Sequence, residues 1–190
     1  MRFEGGSSLR LYRQTVEDFS LYSGKEMTET EYEKLKEAAG KMSAKMRAVR
    51  ILSASSVSKG DLEHRLIEKG ENPTQAREAV QWLSNMDLLD DEKTARQIVE
   101  RCISKGYGPA RAKQALYEKR IPKAYWEAAL SGYPDQQDYI IEFLQSKEES
   151  FADPKALRRA VDALLRRGHS YGEIRRALDV LSLQTEELDG

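Results

Sequence analysis

The side chains of this chain best suited to chemistry are cations, and they cluster. Positions 93–123 hold nine lysines and arginines: Lys93, Arg96, Arg101, Lys105, Arg111, Lys113, Lys119, Arg120 and Lys123. Only Glu100 and Glu118 oppose them, so the segment nets +7 in a chain that nets −1. Its flanks are acidic, with residues 44–92 at −2 and residues 124–150 at −5, before residues 151–180 return to +3. A basic stripe between acidic neighbours suits an acidic partner, either phosphate or a protein groove. Charge runs on helices are also the ordinary make-up of a solvated face. The interleaved aromatics are few (Tyr107, Tyr117 and Tyr125), which argues against a stacking platform for single strands.

A hinge divides the stripe. Gly106-Tyr107-Gly108-Pro109 lets one helix stop and another start, with Pro109 in the first turn. Tyr107 is weighed evenly as hinge packing and as an exposed contact. Arg111 and Lys113 follow the hinge, where a helix N-terminus attracts anions. The leading contact candidates are therefore Arg96, Arg101, Lys105, Tyr107, Arg111 and Lys113, with Lys119 and Arg120 at the end of the stripe. Arg158, Arg159, Arg166 and Arg167, beside Arg175 and Arg176, form a second, weaker set.

Other chemistry finds little support. Asp90-Asp91 has only Glu92 beside it and no loop of oxygen ligands, so helix capping outweighs metal binding. Cys102 sits mid-helix beside Ile103 and reads as a buried thiol. His64 and His169 are far apart and lack a metal-ligand spacing. Trp82 and Trp126 face apolar neighbours and read as packing residues. No phosphate-binding glycine loop, His-Glu-x-x-His, nucleophile elbow or paired-carboxylate site is visible. The chain is expected to be no enzyme, with no cofactor and no metal.

The elements that position these residues are helical. Thr28-Glu29-Thr30-Glu31 is a capping box that opens a helix, and Gly40 is expected to break or bend it. Ser58 caps a helix carrying Leu62 and Leu66, and Gly70 stops it. Asn72-Pro73 starts the next, with Ala76, Ala79, Val80 and Leu83 on its core face. The pattern recurs. A shift of 50 carries Leu62, Leu66, Lys69, Ala79 and Val80 onto Ala112, Leu116, Lys119, Ala129 and Leu130; a shift of 98 carries them onto Ala160, Leu164, Arg167, Ala177 and Leu178. Tetratricopeptide repeats, at about 34 residues, are too short for this period, and three helices per unit fit it. Gly168 then repeats Gly70, Asp153-Pro154 repeats the cap, and Ser170-Tyr171-Gly172-Glu173 is another capping box.

The expected fold is all-α: three tandem three-helix units at 42–89, 90–133 and 134–184, in an elongated curved array. Before them stand a helix at 28–41 and an arm at 1–27, where Val16–Leu21 reads as a strand or one helical turn; an acidic tail follows at 185–190. With one cysteine, a reducing, cytoplasmic setting is expected. No apolar run approaches the 18 or so residues of a membrane span, and the N-terminus lacks a run of signal-peptide length.

Taken together, these residues resemble the RecX family, regulators of the RecA recombinase. The likeness is carried by Ser58…Leu62…Leu66…Lys69-Gly70, by Gln81-Trp82-Leu83…Leu88-Leu89-Asp90-Asp91, by the Ala95-to-Arg101 helix, and by Gly106-Tyr107-Gly108-Pro109 with the Ile121 run. It covers roughly residues 44–182. It implies a non-enzymatic monomer that binds the groove of the RecA–single-stranded-DNA filament, touches DNA weakly if at all, and damps ATP hydrolysis and strand exchange. A direct DNA-binding, helix-turn-helix-like protein is the alternative. Two departures stand out. Ala54-Ser55-Ser56-Val57 replaces the family's arginine-rich lead-in, and Lys119-Arg120-Ile121 puts Arg where the family has Gly, which should reshape that turn.

Overall fold

Helix ends are where this sequence commits to its fold. The computed structural model describes residues 8–147 and 154–188, with side chains as far as residue 182. Its helices are α1 (Arg13–Asp18), α2 (Glu29–Ala54), α3 (Lys59–Glu68), α4 (Pro73–Asn85), α5 (Asp91–Ser104), α6 (Pro109–Glu118), α7 (Trp126–Leu130, entered through a 3-10 turn at Lys123–Tyr125), α8 (Gln137–Gln145), α9 (Pro154–Arg166) and α10 (Tyr171–Leu188). No strand forms among the described residues, and the fold is all-α. Residues 13–18 of the arm take the helical alternative, with Thr15 buried.

The starts are capped by side chains. Thr28 Oγ1 accepts from the Glu31 N–H, and Glu31 returns the bond to the Thr28 N–H at 2.8 Å. Ser58 Oγ accepts from the Asp61 N–H at 3.0 Å, and Asn72 Oδ1 from the Thr74 N–H at 2.9 Å. Ser170 and Glu173 form the second capping box. Each such bond satisfies a donor that the helix itself leaves orphaned. The expected Asp153 cap lies outside the described residues.

The ends repeat one motif. A residue of positive φ follows the helix, and the next N–H reaches back five residues to a carbonyl, the Schellman arrangement. Glu71 N–H bonds to Leu66, Leu88 to Leu83, Tyr107 to Cys102, Ile121 to Leu116 and His169 to Leu164. The positive-φ residues are Gly70, Asp87, Gly106, Arg120 and Gly168. The turn at Arg120 is thus not reshaped: Arg adopts φ 51° and the same bonds form.

Gly40 does not break its helix either; α2 runs through it. A Cβ there would meet only the Gln75 amide, the far end of a flexible side chain that can turn aside. Glycine inside a helix costs only about 1 kcal/mol relative to alanine, which the buried Leu35, Ala39, Ala44 and Ala48 on either side outweigh.

The chain divides into two compact units after Asp91. In the first, α2, α3 and α4 enclose Ala44, Ala48, Ile51, Leu62, Leu66, Ala76, Ala79 and Leu83. Alanines on α2 and α4 allow close helix contact, and leucines fill the remaining space. A buried carboxylate, Glu71, is matched by Arg47 Nε at 2.6 Å and Ser43 Oγ at 3.0 Å. In the second unit one cluster joins α5, α6 and the α7 region through Ala95, Val99, Leu116 and Ile121. Another joins α8, α9 and α10 through Ile140, Leu144, Ala160, Leu164, Ile174 and Ala177.

Candidate functional site

The basic stripe lies on α5, the hinge and α6. Apolar residues Ala95, Val99 and Cys102 point α5 inward, which leaves Lys93, Arg96 and Arg101 on its exposed side, with Lys105 just beyond its end. Asp91, by contrast, is buried: its carboxylate accepts the N–H of Lys59 at 2.8 Å, capping α3 from 32 residues away. The acidic step at the start of α5 is therefore an architectural clamp as well as a helix start. Burial pushes the Cys102 thiol up from its ordinary value, which keeps it protonated and unreactive.

Gly106, Tyr107 and Gly108 of the hinge are each tied down by hydrogen bonds. Tyr133 donates its hydroxyl to the Tyr107 carbonyl at 2.6 Å, and Tyr107 is half-buried. Burial raises the Tyr133 phenol to about 12. His169 Nε2 lies 2.9 Å from the Gly106 carbonyl, an acceptor that fixes the ring proton on Nε2, and the ring stacks on Tyr139. The Gly108 N–H donates to the Arg167 carbonyl at 2.9 Å, and the Ala110 N–H to the Gly168 carbonyl at 3.4 Å. A Cβ on Gly108 would meet the Gly168 carbonyl, and one on Gly168 would meet the Arg111 backbone. Both glycines are required by this approach of two backbones.

That contact removes one sequence argument. The N-terminus of α6 was expected to be an open anion site, yet its first donors are spent on Arg167 and Gly168 carbonyls. The side chains that follow it fare differently. Arg111 is half-buried and pairs with Glu118 at 3.0 Å, where Gln114 also donates. The pairing holds Glu118 below the usual carboxylate range and Arg111 above its own. Lys113 is exposed and makes no ion pair among the described residues.

The remaining candidates separate in the same way. Arg96 pairs with Glu92 along α5. Arg167 lies 4.8 Å from the Phe143 ring and 5.8 Å from that of Tyr139, a cation–π cradle that holds it inward. Lys119 is half-buried at the C-cap of α6. Arg101, Lys105, Arg120, Arg158 and Arg166 are exposed and without an ion pair among the described residues, and Arg159 is exposed beside Arg158. Two tyrosines escaped notice as a pair, Tyr117 and Tyr171, at 68% and 67% exposure. Their one-turn spacing from Lys113 and Arg175 was the available signal. Trp126 is a packing residue that donates to the Ile121 carbonyl at 3.0 Å; Trp82 packs on the first core beneath Lys45.

Among the described residues no group of three His, Cys, Asp or Glu is placed to hold a metal, and no helix is long and apolar enough to cross a membrane. Residues 90–130, which contain the hinge and most of the stripe, match the family model described as RecX, second three-helix domain. The regulatory protein RecX of Vibrio campbellii is 28% identical over 152 residues, covering 77% of this chain and 96% of that one. That of Stenotrophomonas maltophilia is 29% identical over 134 residues, covering 69% of this chain and 82% of the other. Among solved structures, a regulatory protein RecX aligns over 94% of this chain and 91% of its own with a TM-score of 0.68 at 20% identity. RecX from Lactobacillus salivarius aligns over 77% and 99% with a TM-score of 0.65 at 22% identity. These two likenesses concern the fold.

Proposed function

The chain belongs to the RecX family of regulatory proteins, and from that premise we propose that it binds the RecA–single-stranded-DNA filament and damps its ATP hydrolysis and strand exchange. It acts by binding alone, as a cytoplasmic monomer, through its units at 42–89, 90–133 and 134–184. One observation carries the reading: the residues that match the family's second three-helix domain are those whose segment nets +7, with Arg101, Lys105, Lys113 and Arg120 exposed and without an ion pair among the described residues. Such side chains lose little internal structure on meeting an acidic groove, and they speed the encounter as well as tighten it. Arg111, held by Glu118, orders α6 and contributes less to the contact itself.

The test is a titration of the purified chain into RecA on single-stranded DNA while ATP hydrolysis is followed. Hydrolysis should fall. Joint replacement of Arg101, Lys105 and Lys113 by glutamate should remove the effect while helical circular dichroism stays unchanged. Unaltered hydrolysis at several-fold excess over the filament would sink the proposal.

A further inference from the structure

Helix α2 carries two apolar stripes, and only one of them belongs to the core of the first unit. Ala44, Ala48 and Ile51 join α3 and α4 in that core. Leu35, Ala39, Met42, Met46, Val49 and Ser53 are spaced four and three apart in turn, the a/d rhythm of a coiled coil. At about 100° per residue, Met46 stands about 200° round the helix from Ala44. Leu35 and Ala39 are buried without joining the three-helix core, and α1 is the further helix packed on α2. The rest of the stripe is open: Met46 is 40% exposed, Val49 39%, and Ser53 is exposed as well. The seam continues an interface already made and is left half covered.

The charged residues of α2 beside the open half are all cations. No Asp or Glu occurs between Glu37 and Asp61. Lys41 is already matched by Glu37 and Glu78, and Arg47 by Glu71. Lys45 and Arg50 remain, at the g and e positions that border the seam: Lys45 precedes Met46 and Arg50 follows Val49. Lys45 Nζ lies 5.2 Å from the centre of the Trp82 ring, which leaves its charge unneutralised. Arg50 is exposed with no ion pair among the described residues. Even counted with this margin, the exposed Asp87 beyond α4 leaves it basic. A second copy of the chain does not supply the complement. Parallel helices would set Lys45 against Arg50, and antiparallel ones would set each cation against its own kind. A lipid surface fits less well, because an interfacial helix presents a broad apolar face with large aromatics, whereas an a/d seam is narrow.

We propose that the open half of this seam, from Met42 to Ser53, docks an amphipathic helix of another protein, one with apolar residues at its own a and d positions and carboxylates at e and g. Met46 and Val49 supply the apolar contact, and Lys45 and Arg50 choose the partner by the sign of its charge. Met42 and Ser53 lie about 17 Å apart at 1.5 Å per residue, room for about three turns of the incoming helix. This surface goes beyond the regulatory reading, whose cations lie in the second unit, and does not rest on it.

The probe is a fluorescent peptide about three heptads long, with leucine at a and d and glutamate at e and g, whose own charges keep it from pairing with itself. It is titrated with the full-length chain and followed by anisotropy, beside a sister peptide with lysine at e and g. The glutamate peptide should bind about tenfold more tightly than the lysine one, since each bordering cation turns from attraction to repulsion. Met46→Ala with Val49→Ala should weaken glutamate-peptide binding about tenfold, through the lost apolar contact. Lys45→Glu with Arg50→Glu should invert the order of the two peptides, a gain towards lysine that misfolding does not produce. No binding by wild type, equal binding of both peptides, or an order that charge reversal leaves unchanged overturns the proposal. So does a dimer in light scattering that Met46→Glu makes monomeric, because a second copy then fills the seam. Binding of phosphatidylserine vesicles in place of the peptide assigns the face to lipid and overturns it as well.

Discussion

Gly70 and Gly168 adopt the same backbone conformation, φ +87° and +88°, in unlike surroundings. Around Gly70 a Cβ would meet open space, whereas at Gly168 it would run into the Arg111 backbone. Gly70→Ala should therefore cost only the left-handed penalty, about 1–2 kcal/mol. Gly168→Ala adds overpacking against a backbone that cannot rotate away, typically 1–3 kcal/mol more. Urea midpoints of the two variants should differ in that order; equal midpoints would show that the two backbones near Gly168 part freely. Tyr133 gives a second residue-level expectation. Its folded phenol is raised to about 12 by burial, against an ordinary value of 10.0. The folded state thus favours the neutral form, so this contribution is complete below about pH 10 and disappears as pH rises towards 12. Tyr133→Phe should lose the hydrogen bond to the Tyr107 carbonyl, about 1 kcal/mol at neutral pH, and the gap from wild type should close in alkali. A gap independent of pH up to 12 would contradict this account.

At the scale of elements, the Schellman turns explain both what could be read ahead and what could not. Arg120 holds φ 51° where Gly70 and Gly168 stand in the neighbouring copies. Its side chain is exposed, so Arg120→Gly should relieve strain and stabilise by about 1 kcal/mol. A Tm that falls would mean the arginine makes a contact that outweighs its conformation. The caps were legible because cap residues act locally: Thr28, Ser58, Asn72 and Gly70 do their work within four residues of themselves. That Arg120 would hold the same turn was not, since its residue type argued for a reshaped one. Periodicity likewise foresaw buried positions on α3, α6 and α9, since Leu62, Leu116 and Leu164 are all fully buried. Long-range partners were illegible. Nothing in a helical pattern tells that Asp91 will cap α3, that His169 will reach the Gly106 carbonyl, or that Gly108 will lie on Gly168. These contacts depend on how whole helices dock. The basic stripe was legible as charge, but its division into engaged and free cations was not, because ion pairs such as Arg111 with Glu118 depend on rotamers seven residues apart.

For the whole molecule, those candidate cations that make no ion pair among the described residues lie in two three-helix groups of one compact unit. Arg101 and Lys105 flank the end of α5, and Arg158 and Arg166 lie on α9. On the proposed reading, in which the partner is a filament, several such groups engage it at once, and simultaneous contacts add in free energy. Contributions from well-separated sites should then multiply in concentration. Neutralising Arg101 and Lys105 to glutamine should raise the amount of protein needed to half-damp recombinase ATP hydrolysis by a few-fold, at roughly 0.5 kcal/mol per exposed charge. Arg158 with Arg166 should do the same, and the four together should give the product of the two effects. Arg111→Gln is the internal comparison: its guanidinium is already held by Glu118, so it should reduce thermal stability more than it shifts that concentration. If the fourfold variant is no worse than the worse pair, only one group touches the partner, and the charge on the other is a solvated face. Raising salt should shrink both pair effects together, because exposed charges are screened over a Debye length of about 8 Å at physiological ionic strength. The loss from Gly168→Ala, which is steric, should persist.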